Sequence, residues 1–244
     1  MTGSRGFAYK PALDGLRAVA VLGVLLYHLG YGSAQGGFLG VDTFFVLSGY
    51  LITSLLLIEW KRSDTISLRD FWIRRARRLL PALLLVVLAI AIWAGVTLRS
   101  DQLTDIRGDG LATLFYSANW RFVFSGQSYF AQFGTASPFR HTWSLAIEEQ
   151  FYLLWPLIVL ACLRLDRGRV RLLSAVTVLG IGGSIAAMAA LYVSSDPSRS
   201  YYGTDTRAHS LLIGVVLAIV LSRWTPKSAK LRDSSASVSS SRRS

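Results

Sequence analysis

Three ionisable residues lie inside an apolar stretch near the start of the chain, LDGLRAVAVLGVLLYHLG, residues 13–30. Eleven residues of helix turn through about 1100°, so Arg17 and His28 point within about 20° of each other. The rise between them is about 16 Å, roughly half the hydrocarbon thickness of a bilayer. A neutral histidine there can act as a general base or a nucleophile, and an arginine can bind an anion. The same helical stripe carries Asp14, Val21 and Val24.

A second polar group opens the apolar segment HTWSLAIEEQFYLLWP. Its polar and aromatic residues recur at helical spacing on one face: His141, Ser144, Glu148, Tyr152 and Trp155. Glu149 lies about 100° from that face. Two adjacent carboxylates inside a membrane helix are costly, so a functional role is favoured, with a solvated helix end as the alternative.

Charged residues also lie where two other apolar segments begin. In GVDTFFVLSGYLI, Asp42 faces the same side as Gly49, a residue that permits close helix approach. We expect Asp42 to pair with a basic group of the first helix; the alternative is a residue that merely starts a helix at the boundary. In TDTRAHSLLIG, we expect Asp205 and Arg207, beside His209, to form a structural ion pair.

A cluster of four arginines lies in FWIRRARRLLP, directly before the apolar block Leu79–Leu98. Pro81 is expected in the first turn of a new helix, where its missing N–H costs nothing. The cluster has two interpretations. It anchors the membrane topology, or it binds phosphate, because guanidinium groups match phosphate geometry. A nucleotide-bearing cofactor such as coenzyme A would suit the second. The arginines are Arg74, Arg75, Arg77 and Arg78.

Membrane-spanning helices must position these residues. The chain has 244 residues, of which 52% are hydrophobic and 16% charged, and its apolar residues come in blocks of about twenty, as a bilayer requires. We expect an all-α integral membrane protein whose domain covers residues 1–223, followed by a disordered basic tail at 224–244. The six expected spans are Ala12–Tyr31, Phe38–Ile58, Leu79–Leu98, Thr142–Leu163, Leu172–Val193 and about Thr206–Ser222.

The distribution of the net charge of +12 is explained by membrane topology rather than by binding to a nucleic acid. With the N-terminus inside, the cytoplasmic segments 1–17, 59–79, 164–171 and 223–244 hold 20 of the 26 lysines and arginines. This asymmetry is the positive-inside pattern, which also places the C-terminus in the cytoplasm. The segment Gly110–Phe124 is too short between its charges to span, so we expect a re-entrant or interfacial helix on the outer face.

Common catalytic motifs for other reactions are missing from the sequence. There is no P-loop, no GxSxG elbow and no GxGxxG fingerprint. The three histidines, His28, His141 and His209, have no metal-binding spacing, so no metal is expected. Cys162 is the only cysteine, which excludes an intramolecular disulfide.

The ordered motifs together resemble acyltransferase family 3, the integral-membrane O-acyltransferases that modify envelope polysaccharides and other acceptors. They cover most of residues 10–222. The motifs that carry the resemblance are LDGLRAVAVLGVLLYH, GVDTFFVLSGYLI, FWIRRARRLLP, HTWSLAIEEQFYLLWP and YYGTDTRAHSLLIG.

The resemblance implies transfer of an acetyl or other acyl group from cytoplasmic acyl-CoA to a hydroxyl at the outer face of the plasma membrane. His28 then matches the catalytic histidine and Arg17 its paired arginine. In the mechanism that we expect, Glu148 or Asp42 orients the imidazole or stabilises its cation, as a carboxylate does in a triad. Whether the histidine acts as base or as nucleophile stays open. The acyl-CoA motif falls on Arg74, Arg75 and Arg78. Supporting positions are Asp14, Asp42, Ser48, Gly49, His141, Trp143 and Arg207.

The chain also departs from the family pattern. Members usually have about ten membrane helices, and some add an extracytoplasmic esterase-like domain, which implies a separate esterase-like partner here. Six spans followed by a polar tail suggest a truncated or minimal member, and His209 and Ser210 stand where many relatives have Trp and Glu. Two alternatives remain open: a transporter or proton relay, since intramembrane charges mark these too, and an inactive interaction protein.

Overall fold

A computed structural model describes residues 11–130 and 137–223, and the tail predicted at 224–244 lies outside these residues. The described part is helical, with short 3-10 segments at Gly32–Leu39 and Arg140–Thr142. Its nine α-helices are α1 Pro11–His28, α2 Gly40–Ser63, α3 Leu68–Thr97, α4 Ser100–Leu114, α5 Ala118–Phe124, α6 Trp143–Leu165, α7 Arg171–Leu191, α8 Ser198–Tyr202 and α9 Thr204–Arg223.

Six of these helices are long and apolar enough to cross a membrane: α1, α2, α3, α6, α7 and α9. The prediction of an all-α membrane protein with six spans is therefore confirmed. In their most apolar windows, α1, α3 and α7 are only 6%, 11% and 17% buried within the protein. Their outer faces are apolar, which suits contact with lipid hydrocarbon.

The third helix begins at Leu68, eleven residues before its predicted start at Leu79. Pro81 therefore lies in the helix interior, and the prediction that it opens a new helix was wrong. The proline gives up only one backbone hydrogen bond, and good helix formers on both sides continue the helix. The arginine cluster is consequently part of a membrane helix, and only residues 64–67 connect it to α2.

The segment predicted as one interfacial helix, Gly110–Phe124, is divided between two short helices. The break falls at Tyr116, whose φ of 52° lies in the left-handed region and interrupts the helical path. Neither α4 nor α5 is among the helices that could cross a membrane. The structure thus agrees with the prediction that this segment does not span the membrane.

Helices α2 and α9 run side by side in the same direction. Asp42 contacts Arg207 near their first turns, and Lys61 donates to the carbonyl of Ser222 near their last turns. Between these contacts the two backbones touch at glycines, because a Cβ on Gly49 would overlap the backbone of Leu211. Small residues permit this close approach, which favours helix association in lipid.

We predict that Gly49→Ala lowers the thermal stability of the purified protein. The added methyl group must push α9 away from α2, and overpacking of this kind costs about 1–3 kcal/mol. The measurement is the thermal midpoint in detergent. Gly95→Ala is the matched control, since a Cβ on Gly95 in α3 meets nothing, so it should leave the midpoint unchanged or raise it. Equal midpoints for Gly49→Ala and the wild type would contradict the packing argument.

Helix α6 lies along α2 in the same direction as well. Ser48 and Thr53 of α2 hydrogen-bond Glu148 and Trp155 of α6. The bundle thus has two ends with different chemistry. At the His28 end, α1 finishes while α2, α6 and α9 begin; at the arginine end, α2 finishes and α3 begins.

Candidate functional site

The last residue of α1 is His28, and the backbone that follows fixes its position. Gly30 adopts a left-handed φ of 74°, and the N–H of Tyr31 bonds the carbonyl of Leu26 at 3.1 Å, which closes the helix. The Nδ1 atom of His28 donates to the carbonyl of Val24 at 2.8 Å. Because a carbonyl only accepts, the proton of the neutral ring sits on Nδ1 and the lone pair on Nε2.

Tyr129 faces the unprotonated Nε2 of His28. No sequence pattern indicated Tyr129 as a site residue. Its hydroxyl lies 3.5 Å from Nε2, and the two rings meet edge to face. Burial raises the pKa of the Tyr129 hydroxyl, which therefore stays protonated as a donor at neutral pH. Tyr129 lies in the irregular stretch after α5. This stretch has no helical periodicity from which a site residue could be predicted.

The predicted stripe on α1 faces a cavity of about 310 Å³ between α1, α2 and α6. Val21 and Val24 line it from α1, and Glu148 lines it from α6. At the far end of the stripe, Arg17 contacts Asp14 at 3.4 Å. The α1 face between Arg17 and His28 is therefore one apolar wall of the cavity. Glu148, on the facing helix α6, is the carboxylate that lines it.

Glu148 does not contact His28, so its predicted role in orienting the imidazole was wrong. Its carboxylate accepts a hydrogen bond from the Ser48 hydroxyl at 2.7 Å, and the Val24 carbonyl orients the histidine instead. The neighbouring Glu149 carries a buried Oε1 that has no hydrogen-bond partner among the described residues.

Asp42 pairs with α9 rather than with the first helix. It accepts from Arg207 at 3.0 and 3.2 Å and from Ser210 at 2.8 Å. The prediction of a partner on α1 was wrong, because Arg17 lies at the opposite end of that helix. Asp42 likewise makes no contact with His28 and does not orient it.

The expected ion pair within TDTRAHSLLIG does not form. Asp205 instead binds Arg199 through two hydrogen bonds of 3.1 and 2.8 Å. Residues two apart on a helix point in nearly opposite directions, so Asp205 and Arg207 diverge. His209 donates its Nδ1 proton to the carbonyl of Thr206 at 2.9 Å.

The arginine end holds a cavity of about 530 Å³ between α2 and α3. Arg74, Arg75 and Arg78 line it together, as the phosphate-site interpretation requires. Arg74 and Arg78 are exposed, and Arg74 lies 3.9 Å from Glu59. Arg75 points inward, with its guanidinium 4.6 Å from the centre of the Tyr152 ring.

The remaining candidates surround the His28 end. Trp143 is only 2% exposed and packs against Tyr201 and Tyr129, with ring centres 4.6 and 6.0 Å apart. His141 is exposed in the 3-10 segment directly before α6. In the described ranges, no group of three or more His, Cys, Asp or Glu side chains is placed to hold a metal ion.

A family profile described as an acyltransferase domain matches residues 10–236. The chain is 48% identical to the peptidoglycan O-acetyltransferase OatA of Listeria monocytogenes over 91% of its length, which is 36% of that protein. It is also 48% identical over 87% of its length to Bacillus subtilis YrhL, provisionally named a peptidoglycan O-acetyltransferase, and covers 33% of it. A provisionally named O-acetyltransferase of Staphylococcus aureus is 45% identical over 89% of the chain and is 35% covered.

The chain thus spans about a third of the length of these curated relatives. No solved structure matches it. The six candidate spans and the relatives identify a multi-pass protein of the plasma membrane. Because the profile covers nearly all of the described helices, the chain belongs to the membrane acyltransferase family defined by this acyltransferase domain.

Proposed function

We propose that this chain transfers an acetyl group from acetyl-CoA, or an acyl group from a related acyl-CoA, to a hydroxyl of a cell-envelope polysaccharide. The observation that carries the proposal is the arrangement of the two ends of the bundle. An arginine-lined cavity lies at one end, and an imidazole whose unprotonated Nε2 faces the Tyr129 hydroxyl lies at the other. The relatives named as peptidoglycan O-acetyltransferases support a peptidoglycan sugar as the acceptor.

In this proposal the donor binds at the arginine end. The positive-inside pattern supports a cytoplasmic location for that end. Arg74, Arg75 and Arg78 supply guanidinium groups for the phosphates of the nucleotide. Arg75 lies seven residues into α3, about 10 Å from the helix start. Its inward position beside Tyr152 favours a donor that enters the bundle rather than one that stays at its surface.

The thioester then reaches the α1 stripe. The cavity lined by Val21, Val24 and Glu148 offers apolar walls for the acyl-bearing arm. Arg17, paired with Asp14, provides a further positive group at the donor side of this stripe. The acyl carbon approaches His28 at the outer end.

At His28, the lone pair of Nε2 takes the proton of the acceptor hydroxyl. The hydroxyl oxygen bonds to the acyl carbon, the carbon–sulfur bond breaks, and the proton passes to the coenzyme A thiolate. The products are an ester and the free thiol. An alternative route through acyl-His28 gives the same products in two transfers, and acid-quenched mass spectrometry of the protein during turnover distinguishes the two.

The whole chain, reconstituted in nanodiscs, tests the function with radiolabelled acetyl-CoA and a soluble peptidoglycan fragment. We expect label in the glycan and stoichiometric release of coenzyme A. Absence of both label transfer and coenzyme A release from a folded protein would refute the proposal. Solute flux in proteoliposomes without any acyl transfer would instead favour a transporter.

We predict that Arg78→Ala raises the KM for acetyl-CoA about tenfold or more and leaves kcat nearly unchanged. The change removes one charged hydrogen-bond donor from the donor cavity, and such bonds are each worth about 1.5–3 kcal/mol. Initial rates at varied acetyl-CoA measure the effect. Arg77→Ala is the matched control, because Arg77 is an exposed arginine of the same helix outside this cavity. Equal KM values for Arg78→Ala and the wild type would argue that the cluster serves topology alone.

A further inference from the structure

A third cavity, of about 500 Å³, lies at the His28 end outside the proposed donor path. It is formed by the 3-10 segment before α2, the stretch after α5, the end of α7, the short helix α8 and the start of α9. Its walls are largely aromatic, from Phe38, Phe130, Tyr192 and Tyr201. Among the described residues that line it, only Arg207 is charged.

Arg207 is held in place but keeps hydrogen-bonding capacity. Its Nη1 donates to Asp42, and its Nε donates to the carbonyl of Tyr201 at 3.2 Å. The guanidinium also lies 4.2 Å from the centre of the Tyr201 ring. The Nη2 group makes no hydrogen bond within the described residues, although the side chain is 11% exposed. A fixed donor is therefore available to a ligand in the cavity.

Aromatic rings connect this cavity with His28. Phe130 lies with its ring centre 5.0 Å from that of Tyr129, which in turn lies 6.3 Å from the His28 ring. On the other wall, Phe38 packs on Tyr27, and Tyr27 packs on His28 at 5.4 Å. A wall ring and one further ring thus lie between the cavity and the imidazole on both routes, so a ligand held here lies at the same end of the bundle as the reacting centre.

From this geometry we propose that the cavity is an acceptor subsite for a sugar ring of the glycan. The inference rests on the proposed function and adds where the acceptor binds. The apolar face of the ring packs on Phe130 and Tyr192, and a ring oxygen or substituent oxygen accepts from Nη2 of Arg207. Largely aromatic walls with a few fixed polar groups are typical of small-molecule sites, and the volume is in their range. An acyl chain of a lipid would leave the guanidinium donor unmatched.

Direct binding tests the inference without requiring turnover. The whole chain in nanodiscs is titrated with a soluble peptidoglycan disaccharide in the absence of acetyl-CoA, by ligand-observed NMR. We expect Tyr192→Ala and Phe130→Leu to weaken the dissociation constant about fivefold or more, as loss of aromatic anchors does. Tyr192 is 58% exposed, so its truncation does not endanger folding, and Phe130→Leu retains an apolar side chain.

Tyr31→Ala is the matched control, because Tyr31 is 57% exposed and does not line the cavity. Its binding should equal that of the wild type. Undetectable disaccharide binding by the wild type, or equal affinity of wild type and Tyr192→Ala, would overturn the subsite. Disaccharide binding that depends on Tyr192, found together with no acetyl transfer, would support the subsite and refute the proposed reaction instead.

Discussion

His28→Ala should reduce acetyl transfer from acetyl-CoA by about 10²–10⁴-fold, the range in which general acid–base catalysis contributes. The Val24 carbonyl holds the Nδ1 proton, so the lone pair on Nε2 is directed away from the α1 backbone and toward Tyr129. No other histidine lies at this position in the described residues, since His209 bonds the carbonyl of Thr206 on α9. Alanine therefore leaves the acceptor hydroxyl without this base.

The rate is measured with radiolabelled acetyl-CoA and the peptidoglycan fragment in nanodiscs. Binding of acetyl-CoA should persist in His28→Ala, because the arginine cavity lies at the other end of the bundle. His209→Ala serves as the control, a second histidine at the same end of the bundle whose loss should leave the rate within severalfold of the wild type. Normal transfer by a folded His28→Ala protein would exclude the histidine from the reaction.

The sequence predicts the spans because bilayer thickness fixes the length of an apolar block. It misplaces the start of α3 because that rule detects only apolar residues. Arginine is a good helix former, so the helix extends through the arginine cluster to Leu68, where the short connection from α2 ends. The consequence is functional, since Arg75 becomes an inward-pointing helical residue beside Tyr152.

The sequence indicates candidate site residues where one helix contains the whole pattern, and it misses contacts where different elements meet. The spacing of Arg17 and His28 is a property of α1 alone, and the structure places that stripe along a cavity. The partner of Asp42 depends on which helix packs beside α2, which no single-sequence pattern specifies. Tyr129 reaches His28 only through the tertiary fold, from a stretch without periodicity.

The largest effect on stability is expected from Asp42→Asn. Asp42 and Arg207 connect the first turns of α2 and α9, with side chains only 24% and 11% exposed. Removing one partner of such a pair leaves an uncompensated charge in a poorly solvated place, which costs about 3 kcal/mol or more. We therefore expect a markedly lower thermal midpoint in detergent, although asparagine has nearly the same shape and still accepts from Ser210.

A double variant separates two contributions to the loss of stability: the unpaired charge and the lost contact. Asp42→Asn combined with Arg207→Gln carries no unpaired charge, so it should be more stable than Asp42→Asn alone. Asp14→Asn is the matched control, since the Asp14 and Arg17 side chains are 48% and 32% exposed. Exposed pairs contribute about 0–1 kcal/mol, so this control should change the midpoint little. If Asp42→Asn had the same thermal midpoint as the wild type, the ion pair would not hold α2 against α9. The glycine contacts would then hold the two helices together.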